Sequence, residues 1–528
     1  MVMAALSLTA VMGMSGLAVE VGNGYATKVR NQRVADMAAL GGAQAYQSNQ
    51  SVTVATQVAK DIVAASGLPA SAATVTSGTV NGVSAIQVTV TNAVPVRLAQ
   101  VVMNTTSYNV TSYAAASLIG NSTPGCITAL SSAVTYGVSL TGGTHITATG
   151  CSVVTNSGIS ATSGTTISAK QVVAGKTVND VAAQWGTPGI TTTPTANNIQ
   201  QNKSGAASDT VGTDSRIVAG FAKVGTFTAP TPPAAGAVAW NFNYSPTGQL
   251  ASWWNNGTNT YTVPAGTYNV TSISTSGGIK LVVQDGAVIR VSGNVAVGNT
   301  TMGIVTLDIG GQLNVSSGTT MTVASGNVAI GNNGSGNAIT VGNGSTLSFG
   351  NGTFSTNGSI VTGGGSSITF GATASHYING ALSLSGGATF GAGAYYINGD
   401  FTNGTGGTLS GSGVTFFASG TLGMAGGATL NLVAPTTDAG GGVTDLLFAT
   451  KTTAQTRFDA GATGYYAGLV YAPNSDLAMS GGASAGSTGR CLSFIVNTFT
   501  LSGGTTAGTA CTSLGSGSSA SNGVSLLQ

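Results

Sequence analysis

The chain has 528 residues, of which 42% are hydrophobic, 81 are glycine and only 5% are charged. Disordered chains are polar and highly charged, so this composition excludes that class, and a single glutamate, Glu20, disfavours a mostly helical protein. The formal net charge is +2, and because no basic stripe runs through the sequence, nucleic-acid binding has no electrostatic basis.

The first predicted element is an apolar helix. Residues 1–19 contain no charge, and a helix of that length spans about 28 Å, close to the thickness of the hydrocarbon layer of a bilayer. No small-residue cleavage site stands out, so we predict an uncleaved transmembrane anchor that continues as a helix to residue 48. A buried core helix and a cleaved signal peptide are the alternatives.

The sequence contains conflicting indications of how this anchor is oriented in the membrane. The positive-inside rule places Lys28, Arg30 and Arg33 in the cytoplasm, together with everything that follows them. The cysteines and the repeat composition favour export. We predict a bacterial inner-membrane protein with the bulk of the chain periplasmic or extracellular, and we expect the true start, with a basic flank, to lie upstream.

Residues 16–46 carry a recognisable motif. It resembles the N-terminal segment of the TadG-like proteins of tight-adherence (Flp) pilus assembly, in which an apolar span precedes an acidic residue, an aromatic residue and a Q-x-x-A-D-x-A-A-L run. Arg33 and Val34 replace commoner small residues, and Glu20 replaces the usual Asp. The resemblance implies a membrane-anchored envelope protein whose partners are the inner membrane and other pilus-assembly or envelope proteins, and it implies no catalytic residues. The matching residues are Gly16, Leu17, Ala18, Glu20, Tyr25, Gln32, Ala35, Asp36, Ala38, Ala39 and Leu40.

A small α/β module is predicted over residues 49–120. A helix with one apolar face precedes two strands that meet at Asn81 and Gly82, a strong hairpin signal. A second short helix and a last alternating strand follow. The predicted elements are helix 51–65, strand 73–80, strand 83–91, helix 94–103 and strand 108–118.

Short strands separated by Gly-rich turns fill most of the remaining chain. His376 to Gly380 reads HYING and Tyr395 to Gly399 reads YYING, 19 residues later. A period of about 20 residues with three short strands fits one rung of a parallel β-helix, because each rung can bury its apolar side chains only against its neighbours. A propeller or a sandwich is the alternative.

The fold class is therefore mainly β, with a transmembrane helix, a small α/β module and a parallel β-helix (β-solenoid). Residues 468–482 resemble the solenoid at the C-terminal end of many TadG-like and polymer-forming envelope proteins. The proline-rich stretch 179–250 is predicted to be a linker or an irregular packing segment, with a helix over 214–224. The predicted β segments are 121–178 and 251–515, followed by a flexible tail, 516–528.

The four cysteines fall into two close pairs. We predict disulfides between Cys126 and Cys151 and between Cys491 and Cys511, although four cysteines allow three connectivities. Four buried free thiols are the alternative. No CxxC motif is present, so zinc is disfavoured.

Few residues suggest reactive chemistry. Enzymes built on β-helices need clustered carboxylates, and Asp285 and Asp308 lie 23 residues apart, about one rung, with Lys280 and Arg290 nearby. We expect both to be turn residues that face water. A stacked catalytic pair is the alternative. The acidic patch 438–459 interrupts the rung pattern and is predicted to be a loop. Cation binding by this loop is the alternative.

The isolated aromatic and imidazole side chains have simpler explanations. His145 and His376 are predicted to be turn or surface residues. Trp240, Trp253 and Trp254 are predicted to cap the open end of the solenoid, with stacking on sugars as the alternative.

These patterns predict a non-enzymatic structural scaffold of the cell envelope, associated with Flp pilus assembly or surface adhesion. It requires no cofactor and no metal, and surface glycans are further candidate partners. The alternatives are a carbohydrate-active β-helix enzyme and a secreted adhesin without a pilus role.

Overall fold

The computed structural model divides into two compact units, residues 1–122 with 521–528 and residues 123–520. Each unit has its own hydrophobic core. The structure describes residues 2–49, 51–80, 83–97, 105–117, 125–181, 183, 189–192, 199–203, 205–209, 211–226, 238–332, 334, 336–404, 406–425, 427–459, 463–481, 484–486, 491–502 and 526–527.

The first unit places two helices on one face of an antiparallel sheet. The sheet order is β1, β2, β3 and then the short strand Leu526–Leu527. That last pairing lies in the segment predicted to be a flexible tail, so the prediction is wrong at these two residues. The elements are α1 Val2–Asn49, α2 Val52–Ala65, a 3-10 turn Ala70–Ala72, β1 Ala73–Val80, β2 Val83–Pro95 and β3 Ser107–Ser117.

Most of the local predictions in this unit are confirmed. The side chain of Ser51 caps α2 by accepting a hydrogen bond from the backbone of Val54. Strands β1 and β2 pair with Val80 opposite Val83, as a two-residue turn requires; the turn residues 81–82 themselves lie outside the described residues. The helix predicted over 94–103 is wrong at its start, because β2 continues to Pro95, and residues 98–103 are not described.

The second unit is a parallel β-solenoid. Almost every strand pairs in parallel with the strand about one rung earlier and one rung later. The HYING and YYING repeats are in register, with His376 opposite Tyr395 and Ile378 opposite Ile397. The predicted solenoid is therefore confirmed.

Its strands in chain order are β4 Gly125–Ala129, β5 Tyr136–Thr141, β6 His145–Thr155, β7 Gly158–Ala161, β8 Thr166–Ala174, β9 Val178–Asp180, β10 Ile190–Thr192, β11 Ile199–Gln200, β12 Trp240–Phe242, β13 Trp254–Asn255, β14 Thr260–Val263, β15 Thr267–Val270, β16 Ile273–Thr275, β17 Lys280–Val283, β18 Val288–Val291, β19 Val295–Val297, β20 Thr300–Ile309, β21 Leu313–Val315 and β22 Thr320–Ile330. They continue as β23 Asn337–Val341, β24 Thr346–Asn351, β25 Phe354–Thr356, β26 Ser359–Thr362, β27 Ser367–Phe370, β28 Ser375–Ile378, β29 Leu382–Leu384, β30 Gly387–Phe390, β31 Gly393–Ile397, β32 Phe401–Asn403, β33 Thr408–Ser412, β34 Val414–Ala418, β35 Leu422–Met424, β36 Thr429–Val433, β37 Leu446–Thr450, β38 Thr456–Phe458, β39 Thr463–Ser480, β40 Ser484–Gly486 and β41 Leu492–Ser502.

The interior of the solenoid is a continuous column of apolar side chains. Part of this column is aromatic, where Tyr395 stacks on Phe416 at 5.0 Å between ring centroids and Phe416 stacks on Phe448 at 5.2 Å. Identical positions in successive rungs carry these rings because parallel pairing without a register shift places them one above the other.

The two predicted β segments form one stack rather than two domains. Strand β41 pairs with β39 on one side and with β4 and β5 on the other. The N-terminal rungs, from β4 to β11, therefore follow the C-terminal rungs in space. Pairing β4 and β5 onto β41 covers the edge that β41 would otherwise expose.

The segment predicted as a linker returns along the outside of this stack. Residues 199–226, here called the return segment, begin with β11 paired to β8 and include helix α3, Ser215–Lys223. Apolar residues of α3, including Ile217 and Phe221, pack against Tyr396 and Phe417 on the outer face of β31 and β34. The return segment is thus an irregular packing segment, the second of the two readings given above.

Aromatic residues cover the end of the solenoid at which β12, β13 and β14 lie. Helix α4, Gln249–Trp253, precedes β13. Trp240 contacts Trp253 edge to face at 5.2 Å, and Trp254 lies 4.6 Å from Tyr261. These rings pack on the core, as predicted for a cap.

Candidate functional site

The motif residues lie on α1 and divide into a packed half and an exposed half. In the packed half Ala35, Ala38 and Ala39 are fully buried against α2 and the sheet. Their small side chains let the two helices approach so closely that a Cβ placed on Gly42 would lie 3.0 Å from the Ala55 carbonyl oxygen. The alanines of the motif therefore serve helix packing.

The polar motif residues attach α1 to the sheet. The Gln32 side chain donates to Asp36 Oδ1 and to the carbonyl oxygen of Tyr113, both at 2.9 Å. Glu20 is only 4% exposed, and its carboxylate accepts a hydrogen bond of 2.6 Å from the backbone nitrogen of Arg97. The carboxylate of Glu20 thus provides a hydrogen-bond acceptor for the backbone N–H group of Arg97.

Asn31 is a further polar residue that attaches α1 to the sheet, and it is not among the predicted site residues. Asn31 is fully buried, and its Nδ2 donates to the carbonyl oxygen of Val110 at 2.9 Å. Its signal in the sequence is a single amide in a helix of mixed polarity, next to the motif residue Gln32, and nothing local distinguishes it from a surface residue.

Several apolar side chains of α1 between residues 11 and 25 are exposed. Met14 is 66% exposed, Val21 64% and Tyr25 71%, and Val11 and Leu17 are also exposed. A cavity of about 510 Å³ lies between this part of α1 and residues 108–111 of β3. Within the described residues, no helix combines the length and the apolar character needed to cross a membrane.

Three of the four cysteines, Cys126, Cys151 and Cys491, lie near the junction where the N-terminal rungs meet β41. Cys126 and Cys151 form a disulfide with 5.7 Å between their Cα atoms, and both are buried. Cys491 is also in a disulfide, and its predicted partner Cys511 lies outside the described residues.

The carboxylates weighed as a catalytic pair have different partners. Asp308 faces Arg290 in the register and forms an ion pair with it at 3.5 Å. Asp285 instead accepts a hydrogen bond of 2.8 Å from the backbone of Ile304. The alternative of Asp285 stacked on Asp308 does not occur, because the rung register places Arg290 against Asp308.

The acidic patch is part of the solenoid rather than a loop throughout, since β37 and β38 lie within it. Asp438 accepts hydrogen bonds from the hydroxyl and backbone of Thr444 and forms an ion pair of 3.2 Å with Arg216. The hydrogen bonds from Thr444, with the guanidinium of Arg216, lower the pKa of Asp438. Among the described residues, no group of three or more metal-ligating side chains is placed to hold an ion.

The two histidines differ. His145 is exposed and hydrogen-bonds to Thr166 at 2.7 Å, in agreement with a surface residue. His376 is buried, stacks on Tyr395 at 3.9 Å, and donates from Nε2 to the Gly371 carbonyl at 2.9 Å. The surface prediction for His376 is wrong because alternation points this residue inward. Burial lowers its pKa to about 4.

The described parts thus define a class of molecule, a parallel β-solenoid accompanied by a helix-on-sheet module with an exposed apolar helix. Residues 1–45 match the family model of the TadE/G-like Flp pilus-assembly domain (Tad). The resemblance of this segment to that family is therefore confirmed. No curated protein and no solved structure matches the chain.

Proposed function

We propose that the chain is a cell-envelope protein of the Flp (tight-adherence) pilus system, anchored in the bacterial inner membrane by α1. The observation that carries the proposal is the TadE/G-like match over residues 1–45. Within these residues, α1 presents apolar side chains between residues 11 and 25 to solvent.

The exposed apolar side chains between residues 11 and 25 support the anchoring step. Contiguous exposed apolar surface on a protein marks a membrane or partner contact, and residues 1–19 carry no charge that would oppose entry into lipid. The packed half of α1, around Ala35 to Ala39, would hold the helix to its own unit.

The rest of the chain acts as a scaffold in this proposal. A solenoid is a stiff body whose surface offers contacts over many rungs, and such a role needs no catalytic residue. The Cys126–Cys151 disulfide supports a periplasmic or extracellular location for the solenoid, because disulfides persist in oxidising compartments. The partners we propose are other pilus-assembly or envelope proteins and surface glycans.

Fractionation of cells tests the anchor. Met14→Asp combined with Leu17→Asp adds two charges among these exposed apolar side chains, each costing up to about 3 kcal/mol inside a bilayer. We expect wild-type protein in the membrane fraction and the double variant in the soluble fraction. Met37→Asp is the matched control, since Met37 is exposed on the same helix outside the apolar run. Equal partitioning of all three proteins would contradict anchoring by α1.

Protease accessibility tests the orientation. We expect the solenoid to be cleaved from the cell surface or once the outer membrane is opened, in spheroplasts. Protection until the inner membrane is lysed would contradict export. For the pilus association, a photo-crosslinking residue in place of Tyr25 should yield an adduct with another pilus-assembly protein. Adducts with lipid alone would contradict that part of the proposal.

A further inference from the structure

One outer face of the solenoid carries a regular array of hydroxyl groups. It is formed by the strands β22, β24, β27, β30, β33 and β36, whose side chains alternate between the core and solvent. Each strand contributes two outward positions, two residues apart. The second positions are in direct register from rung to rung. This column, which is Ser or Thr until its last rung, is Thr322, Ser348, Thr369, Thr389, Ser410 and Asn431.

The first positions form a parallel column. It runs from Thr320 through Thr346 and Ser367 in register, is interrupted by Gly387, and resumes with threonine in β33 and β36. Neither column contains a charged or aromatic residue. We call the two columns together the hydroxyl face.

The chain covers a neighbouring face of the solenoid but leaves the hydroxyl face open. On that neighbouring face β31 and β34 are buried on both sides, because α3 packs over them. The outward positions of the hydroxyl face stay exposed or half-exposed, as in β27 and β36.

The face is also rigid and periodic. Hydrogen-bonded strands lie about 4.8 Å apart, and outward positions along one strand repeat after roughly 6.6 Å. Threonine is stiff at χ1, and hydroxyls bond across rungs, Ser367 to Thr346 at 3.2 Å and Thr389 with Ser410 at 3.3 Å. The result is a periodic array of hydroxyl groups, with methyl groups at the threonine positions.

Charge and area decide which partner suits this face. A surface without charges matches an uncharged partner. The area, on the order of 200 Å² from those spacings, is well below the roughly 800 Å² per partner of a stable dimer. A flexible glycan would exchange its hydrogen bonds with water for similar ones and would still lose freedom on binding. Sugar rings also favour aromatic platforms, which the columns lack.

A partner whose surface is already ordered does not lose conformational freedom on binding. The oxygen atoms of hexagonal ice repeat on a prism face at spacings close to those of the two columns. We propose that the hydroxyl face binds the surface of ice, with threonine hydroxyls replacing lattice water and methyl groups packing between them. This inference is independent of the pilus proposal, because it rests on the solenoid alone.

Ice recrystallisation in the presence of the purified full chain tests the inference. Wild-type protein is expected to slow the growth of ice grains. Thr369→Lys combined with Thr389→Lys places two charges on adjacent rungs of the face and should raise the concentration needed by at least about tenfold, since each lost contact weakens binding severalfold. The matched control is Ser383→Lys with Thr402→Lys, also on adjacent rungs but on another face.

The control must retain wild-type activity, and circular dichroism must show that both variants are folded. The inference is overturned if wild-type protein does not affect ice growth, or if the two double variants lose activity equally. Crystalline cellulose is another partner with an ordered surface, and a parallel binding assay with it is the comparison. Binding to cellulose without an effect on ice would also overturn the inference.

Discussion

Gly371 lies at a corner of the solenoid between β27 and β28, and its replacement by alanine tests how closely successive rungs approach. A Cβ at this position would overlap the backbone carbonyl group of Gly350 in the preceding rung. That backbone cannot easily move, because the corner is held by a hydrogen bond of 2.9 Å from the nitrogen of Ala372 to Asn351 Oδ1. The extra methyl group must therefore be accommodated by strain.

Overpacking of this kind costs about 1–3 kcal/mol, and a contact with backbone rather than with a flexible side chain favours the upper part of that range. Solenoids open locally, rung by rung, so the cost should appear first as local opening. We expect amide hydrogen exchange in β24 and β27 to accelerate by about 5–150-fold, the factor that corresponds to 1–3 kcal/mol. The measurement is exchange followed by mass spectrometry on peptides that cover these strands.

Gly364→Ala is the matched control in the same rung. No atom lies within 4 Å of a Cβ at Gly364, and its φ is outside the left-handed region. We expect this variant to be neutral or more stable by up to about 1 kcal/mol, because alanine restricts the unfolded chain. If Gly371→Ala and Gly364→Ala show the same amide exchange rates, the close approach of successive rungs is not the reason that glycine is required at Gly371.

Three further predictions address the junction, the core and the return segment. Replacing Cys126 and Cys151 by alanine removes a crosslink between residues 25 apart and should lower the free energy of unfolding by about 3 kcal/mol, measured by denaturant titration. Burial lowers the pKa of His376 to about 4, below the value of about 6.5 in unfolded chains. The stability it contributes is therefore present above pH ~6.5 and is lost as the pH falls towards 4; His376→Phe should lose less thermal stability than wild-type protein over that window. Arg216→Ala should cost at most about 1 kcal/mol, because its ion pairs are partly exposed, whereas Phe221→Ala, which removes apolar contact with the solenoid, should cost roughly 1.5 kcal/mol or more.

Each of these has an outcome that contradicts it. Unfolding of the double cysteine variant at the wild-type denaturant concentration would show that the junction is not stabilised by its crosslink. An identical acid dependence of wild-type protein and His376→Phe would mean that this imidazole is not the group that titrates. A larger loss for Arg216→Ala than for Phe221→Ala would mean that charge, not apolar packing, holds the return segment.

Several elements follow from local patterns and were predicted correctly. The hairpin of β1 and β2 is specified by alternation on both sides of Asn81 and Gly82. The solenoid is specified by the 19-residue spacing of its repeats, since identical side chains must stack at the same position of successive rungs. The cap at Trp240 follows from the need to cover the open end of an apolar core.

The failures share a physical cause. Whether His376 points inward depends on where its strand begins, and one residue of register reverses the answer. The rung register also decides against the alternative of an Asp285–Asp308 stack, because it brings Arg290 opposite Asp308. The helix predicted after residue 94 gives way to β2, because pairing with β3 continues through Pro95.

The class of local structure and the TadE/G-like motif can be predicted from the sequence, because both are encoded in residues close together along the chain. The order of the rungs depends on long-range packing. The hydroxyl group of Thr141 donates to the carbonyl oxygen of Leu501, 360 residues away, and no local pattern records that contact. Gly-rich rungs offer nearly equivalent edges, so the choice of β4 and β5 as the strands that cover β41 depends on the packing of the whole stack and of the return segment along it.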